Sequence, residues 1–253
     1  MPPLHLRLLL PMLALGMGLA LGFIEPLGLA LSTVFIAWTL FGEQQLPRWL
    51  WWSGGLLGGI ALAAHLLPGF QPTPLWPPRQ LSDDAPPYAL RLSWDKLLLG
   101  LTLLAWWLGQ PSRPTIHPRL AALIGLITLL VVPLAALALG LVGWQPKWPQ
   151  QLWLWLAVNL GVAVLAEELL FRAWLQPALV ARLGTVGGLI ATALLFGAAH
   201  LPFSPLFALV AVLAGLGYGL VFHCSGRLWP AVALHAAVNL SHVLLLSYPL
   251  RSV

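Results

Sequence analysis

The chain has 253 residues, of which 60% are hydrophobic and 8% are charged, and its mean hydropathy is +0.89. A soluble domain carries about 25% charged residues. This composition therefore excludes a water-soluble globular protein, a disordered chain and a coiled coil, and it predicts a polytopic helical membrane protein. The net charge of +5 comes from basic residues that lie between apolar runs. We expect these residues to anchor loops at the surface of a lipid bilayer, with no nucleic acid as a partner.

The first half of the chain predicts several spanning helices and one polar loop. Apolar runs cover residues 8–24, 27–41, 49–67 and 120–142, and a short run over 97–109 is an uncertain span. Between them, residues 68–95 contain many prolines together with Asp83, Asp84 and Asp95, which predicts an exposed, proline-rich loop.

The second half of the chain has a higher density of apolar residues. One run covers residues 152–175, and another covers 229–246. No charged residue lies between Arg182 and Arg227, which leaves room for two spans joined by a turn at Pro202–Pro205. The whole chain is thus predicted to be an all-α bundle of about eight or nine transmembrane spans.

Two adjacent carboxylates carry the first chemical signal. Glu167 and Glu168 are the only acidic residues after Asp95, and they lie in an apolar helix, where each costs at least about 2.5–3.5 kcal/mol. Consecutive helical residues point about 100° apart. Glu168 precedes Arg172 by four residues, which favours an ion pair and leaves Glu167 on a different face, free to point inward. The structural alternative is an interfacial salt bridge at the helix end.

Two further motifs combine histidine with another residue at helical spacing. Phe196 precedes His200 by one turn, and His235 precedes Asn239 by one turn. Such a set supports water activation, because an imidazole or carboxylate takes a proton from water and an amide donates to an oxyanion. Two histidines and a carboxylate also form a zinc-hydrolase ligand set. For each histidine alone, the alternative is a buried ring bonded to a backbone carbonyl.

Another histidine, His242, lies on the same helix face as His235 and Asn239 and is a candidate supporting residue. The remaining histidines have no acidic partner at helical spacing and are interpreted as interfacial or structural: His5, His65, His117 and His223.

The three motifs occur in order within about 70 residues and resemble those of the CAAX protease and bacteriocin-processing (CPBP or Abi) family of intramembrane proteases. The resemblance covers roughly residues 150–245. It implies a protease core over 151–253, an all-helical bundle and a polar cavity within the membrane, and it leaves 1–150 as spans of unassigned role. By this resemblance the catalytic residues are Glu167, His200, His235 and Asn239, and the supporting residues are Glu168, Arg172 and Phe196.

The resemblance implies an intramembrane endopeptidase that acts on a membrane-associated protein or peptide, in a multi-pass protein of a bacterial cytoplasmic membrane. The family has been described as metal-dependent and as glutamate-dependent, so the cofactor is none or one zinc, held by Glu167, His200 and His235. We favour activation of water by Glu167 and His200, with His235 and Asn239 binding the oxyanion. The alternative is a non-enzymatic scaffold or transporter whose Glu, Arg and His cluster is an ion or proton site.

Overall fold

The computed structural model describes residues 2–111 and 117–252, and their regular structure is helical apart from one short antiparallel ladder. The elements of the first half are the helices α1 (Leu4–Ala20), α2 (Pro26–Gln45), α3 (Arg48–Ala63), α4 (Trp94–Trp107) and α5 (Pro118–Ala138), and the strands β1 (Thr73–Pro74) and β2 (Arg91–Leu92). The elements of the second half are α6 (Leu152–Val158), α7 (Leu165–Glu168), α8 (Gln176–Ala198), α9 (Pro205–Ser225) and α10 (Leu228–Leu245).

The helical segments on either side of Glu167 and Glu168 are wound as π-helix. One covers Asn159–Val164 and the other covers Leu169–Leu175. Each π-helical turn contains more residues than an α-helical turn, and such turns occur frequently at functional sites. The two glutamates therefore lie on a short α-helical piece, α7, between two irregular turns.

The turn predicted at Pro202–Pro205 is confirmed. Helix α8 ends at Ala198 and α9 begins at Pro205, directly after Ser204, whose Oγ accepts a hydrogen bond from the backbone N–H of Phe207 at 3.4 Å. A serine cap followed by proline at the first helical position is a common start of a helix. Within α8, Gly184 has a φ of 73°, which breaks the helical path and divides α8 into two helices.

The prediction of an all-helical, multi-pass membrane protein is confirmed, but the count of eight or nine spans is not. Among the described residues, five helices are long and apolar enough to cross a bilayer: Pro26–Gln45, Pro118–Ala138, Leu152–Ala198, Pro205–Ser225 and Leu228–Leu245. Helices α1, α3 and α4 have 17, 16 and 14 residues. About 20 residues are needed to cross about 30 Å of hydrocarbon, and these three helices are shorter than that.

The chain forms two compact units. The first unit comprises Met1–Leu75, Arg91–Ser112 and Gly161–Leu170, and the second comprises Trp76–Leu90, Arg113–Leu160 and Phe171–Val253. The core of the first unit is built from Ala14, Leu15, Ile24, Ile36, Trp94 and Leu98. The largest fully buried side chains of the second unit include Trp155, Phe196 and Tyr218.

The proline-rich loop ends earlier than its composition predicts. It gives way to α4 at Trp94, so Asp95 lies in the first turn of that helix rather than in the loop. Asp95 is 4% exposed, which corrects the expectation that it is exposed. Its carboxylate accepts a hydrogen bond from Nδ1 of His65 at 2.7 Å. A buried carboxylate needs such a partner, and this one is 30 residues away in the sequence.

Candidate active site

The second unit contains a cavity of about 80 Å³, which has room for several water molecules. Its walls come from α5, α8, α9, α10 and the residues after α10, and most of its lining is aliphatic or aromatic. The imidazole and amide groups in the lining belong to His200, His235, Asn239 and His242. The structure therefore brings three of the four predicted catalytic residues to one pocket.

His200 is half-buried in the turn after α8, and its tautomer is set by a local hydrogen bond. Its Nδ1–H donates to the backbone carbonyl of Phe196 at 2.7 Å. In the neutral ring, Nε2 is then the unprotonated nitrogen, with a lone pair that accepts a proton. The backbone bond is the one expected for a structural histidine. His200 also lines the pocket.

His235 is buried and held between aromatic rings. Its ring is stacked on Tyr218, with centroids 4.6 Å apart and an interplanar angle of 19°. It also meets the ring of Phe196 edge-on at 5.9 Å. These contacts fix the plane of the imidazole at the wall of the pocket.

Asn239, one turn beyond His235, is oriented by a second amide. Its Nδ2 donates a hydrogen bond to Oδ1 of Asn159 at 3.2 Å. Asn159 begins the first π-helical segment and was not predicted as a site residue. The residue type of Asn159 could have indicated such a contact in the sequence, because an amide within the apolar run 152–175 requires a polar partner.

Phe196 connects three of the motif residues. Besides its contact with His235, its ring lies 4.7 Å from that of His200, and the guanidinium carbon of Arg172 lies 4.8 Å from its centroid. Arg172 is fully buried and also lies 5.6 Å from the ring of Tyr218. A desolvated guanidinium over aromatic faces gains cation–π attraction. Phe196 therefore packs against both histidines and the arginine.

Glu167 and Glu168 belong to the first unit. Glu168 is fully buried, and Oε1 of Glu167 lies 3.6 Å from Nζ of Lys96 at the start of α4. Lys96 was not predicted as a site residue, because 71 positions separate it from Glu167 and nothing in the local pattern links them. The pairing of Glu168 with Arg172, and the approach of Glu167 to the histidines, stay predictions.

A set of polar contacts, which we call the clasp, joins the second unit's loop residues to the segment after α10. Oδ2 of Asp84 accepts hydrogen bonds from Oγ of Ser247 at 2.8 Å and Nε of Arg251 at 3.0 Å. Nζ of Lys147 donates to the carbonyl of Leu246, a pocket-lining residue. Burial lowers the pKa of Lys147, and the negative charge of Asp84 opposes that shift. The clasp thus holds the segment that contributes Leu246 to the pocket.

Across residues 2–111 and 117–252, no three His, Cys, Asp or Glu side chains are clustered in a way that fits a metal ion. The zinc ligand set of Glu167, His200 and His235 stays an alternative, and no step below passes through a metal.

Comparison with known proteins finds one family match, which lies within the second half of the chain. Residues 149–241 match the model of the Rce1-like family, the type II CAAX prenyl endopeptidases. The matched segment contains all three motifs and Asn159, and it confirms the resemblance to the CAAX protease family. No curated protein and no solved structure matches the chain.

Proposed function

We propose that this chain, which carries a CAAX protease family segment at residues 149–241, is an intramembrane endopeptidase that hydrolyses a peptide bond of a membrane-associated protein or peptide. The observation that carries the proposal is the pocket in which His200, His235 and Asn239 meet. Its volume admits water, and its polar groups comprise a base and hydrogen-bond donors of the kind that amide hydrolysis needs.

Glu167 and His200 activate the attacking water in this proposal. The Nδ1–H of His200 is bonded to the carbonyl of Phe196, so Nε2 has the lone pair that a general base requires. Glu167 is the carboxylate of the family's first motif, and its side chain is 19% exposed within an apolar helix. A carboxylate and an imidazole together take up the proton of the water and return it to the leaving amine.

His235 and Asn239 bind the developing oxyanion. The Nδ2 of Asn239 has two hydrogens, and one is donated to Asn159. That bond leaves the second hydrogen for the substrate oxygen, in an amide whose orientation is already set. His235 is held by Tyr218 and adds a second group at the same wall of the pocket. Donors that are fixed before the reaction stabilise an oxyanion without reorganisation.

Phe196, Arg172 and Glu168 support this arrangement rather than take part in proton transfer. Phe196 touches both histidine rings, and Arg172 lies over its face. Since Arg172 and Glu168 are both fully buried and opposite in charge, we propose that they form the ion pair predicted from their spacing. A buried pair of this kind holds its segment in one conformation.

The substrate is proposed to reach the pocket from the bilayer. The matched family is described as type II CAAX prenyl endopeptidases, so a farnesylated CAAX peptide with a quenched fluorophore is the first reporter to test. Other membrane-anchored proteins and peptides are further candidate substrates.

The deciding experiment compares the membrane proteomes of cells that express the wild type, Glu167→Gln or Glu25→Gln. Glu25 is an exposed carboxylate of the first unit, which accepts a hydrogen bond from Gln71 at 3.3 Å, and it serves as the matched control. We expect new peptide ends that appear with the wild type and Glu25→Gln but not with Glu167→Gln. Identical peptide ends in all three samples would exclude the protease function and favour the scaffold or transporter.

A further inference from the structure

Helix α4 lies outside the segment that matches the protease family, and yet it reaches the predicted catalytic glutamate. Nζ of Lys96 lies 3.6 Å from Oε1 of Glu167, and the two side chains are 24% and 19% exposed. Because both charges are largely withdrawn from water, their attraction is stronger than that of a surface pair. The ion pair therefore connects the N-terminal part of the chain to the first catalytic motif.

Small residues allow α4 to approach the backbone beside Glu167. A Cβ at Gly100 would lie 3.4 Å from both the Cβ and the backbone nitrogen of Ala166. Gly100 and Lys96 are four residues apart, so they lie on the same face of α4. Small residues at such a crossing let two helices pack closely inside a membrane. The glycine thus brings Lys96 within reach of the carboxylate.

The start of α4 is fixed by two hydrogen bonds to the carboxylate of Asp95. Oδ1 of Asp95 accepts the backbone N–H of Lys96 at 2.8 Å, while Oδ2 accepts Nδ1–H of His65 at 2.7 Å. The Asp95 side chain is only 5% exposed. A carboxylate in the first turn of a helix also interacts favourably with the helix dipole. Asp95 and His65 therefore hold the backbone from which Lys96 extends.

From these contacts we infer that Lys96 is a positioning residue, which holds the carboxylate of Glu167 in one orientation for catalysis. This inference rests on the proposed protease function. It assigns a role in the reaction to the N-terminal part of the chain, because the Glu167 side chain is held from α4 as well as from its own helix. Lys96 acts through Glu167 and does not itself touch the substrate.

A kinetic comparison separates positioning from folding. Lys96→Met removes the charge and keeps the length, Lys96→Arg keeps the charge, and Arg91→Met removes an exposed charge near the same helix start. With the farnesylated CAAX reporter, we expect Lys96→Met to lower kcat on the order of 10²-fold and to leave KM unchanged. The substitution moves the Glu167 carboxylate but does not change how the substrate binds. The kcat of Lys96→Arg should be at least about tenfold higher than that of Lys96→Met. The kcat of Arg91→Met should match that of the wild type.

A double-mutant cycle on thermal stability measures the coupling between Lys96 and Glu167, whether or not the reporter is cleaved. The Tm of purified protein is measured for Lys96→Met, for Glu167→Gln and for the double variant. Substitutions of two residues that interact have non-additive effects on stability. We therefore expect the Tm of the double variant to lie close to that of the less stable single variant.

The outcomes distinguish this inference from the proposed function. Additive Tm shifts, or wild-type kcat in Lys96→Met, would overturn the positioning role and leave the protease function intact. A wild type that cleaves no substrate would overturn the protease function. The Tm cycle would then still decide whether Lys96 holds the Glu167 carboxylate.

Discussion

Asn239 of α10 donates a hydrogen bond from Nδ2 to Oδ1 of Asn159, which begins the π-helical segment after α6. The two residues are 80 positions apart, and both lie in the second unit. Because Asn159 supplies an acceptor, the nitrogen of the Asn239 amide is fixed on that side. The bond turns an ordinary amide into a donor of defined direction at the pocket.

The first prediction uses this bond to separate an enzyme from a scaffold. Asn239→Asp keeps the size of the side chain but removes the donor and repels developing negative charge. We expect it to lower turnover more than Asn239→Ala, which should itself lose on the order of 10²–10³-fold. Asn159→Ala should lose less turnover than either Asn239 variant, because it only loosens the orientation of the Asn239 amide. Turnover of one reporter by all three variants is the measurement.

A proton relay predicts the opposite order for the same variants, because an aspartate carries protons and an alanine does not. Expression and membrane insertion should be little changed in Asn239→Ala, which serves as the folding control. If the aspartate variant retained more activity than the alanine variant, the oxyanion role of Asn239 would be excluded.

The second prediction divides the roles of the two glutamates. Glu167→Gln should abolish cleavage and leave folded protein in the membrane. Glu168→Gln should instead reduce yield and Tm, because fully buried Arg172 would lose its predicted partner in a medium of low dielectric constant. Activity per folded molecule and Tm are measured for both variants. Equal loss of activity at equal stability in the two variants would contradict this division.

The third prediction concerns metal. Because the proposed mechanism activates water with Glu167 and His200, we expect purified protein to contain far less than about one zinc per chain and to keep its activity with a chelator present. Elemental analysis and activity before and after chelation provide the test. Stoichiometric zinc that disappears in His235→Ala would show that the metal-dependent mechanism is the correct one.

The fourth prediction tests the close approach of α4 to Ala166. Gly100→Ala should be tolerated, because its Cβ would meet Ala166 at ordinary contact distance. Gly100→Leu should lower both Tm and activity, since the larger side chain forces α4 away and moves Lys96 from Glu167. Gly16→Leu is the control, because a Cβ at that exposed glycine meets nothing within 4 Å. Equal Tm values for the two leucine variants would contradict the packing argument.

The fifth prediction concerns the clasp and pH. Burial lowers the pKa of Lys147 in the folded protein, whereas the unfolded chain titrates near pH 10.4 (about the value of free lysine). Between these two pKa values the unfolded state binds more protons, so the stability rises with pH. The Tm of the wild type relative to Lys147→Met should therefore increase from about pH 8 to about pH 10. A Tm difference that falls or stays constant over this range would show that Lys147 is not desolvated.

The fold class could be read from composition alone. A chain with 8% charged residues and long apolar runs has few stable alternatives to a bundle of membrane helices, because backbone polar groups in lipid must be satisfied within the helix. The turn before Pro205 was also predictable, since proline and serine act locally. The number of spans was not predictable from the sequence. Three helices have only 14 to 17 residues, and for helices shorter than about 20 residues hydrophobicity alone does not decide whether they cross the bilayer.

The sequence by itself determined which groups are proposed to carry the chemistry. Glu167, His200, His235 and Asn239 stand out because charged and polar side chains are costly in apolar helices, and helical spacing places His235 and Asn239 on one face. Only the tertiary structure decided their partners. Those partners, Asn159 for Asn239 and Lys96 for Glu167, lie 80 and 71 positions away. Local spacing cannot predict such pairs, because hydrogen bonds and ion pairs depend on which helices pack together, and that packing is set by the whole chain.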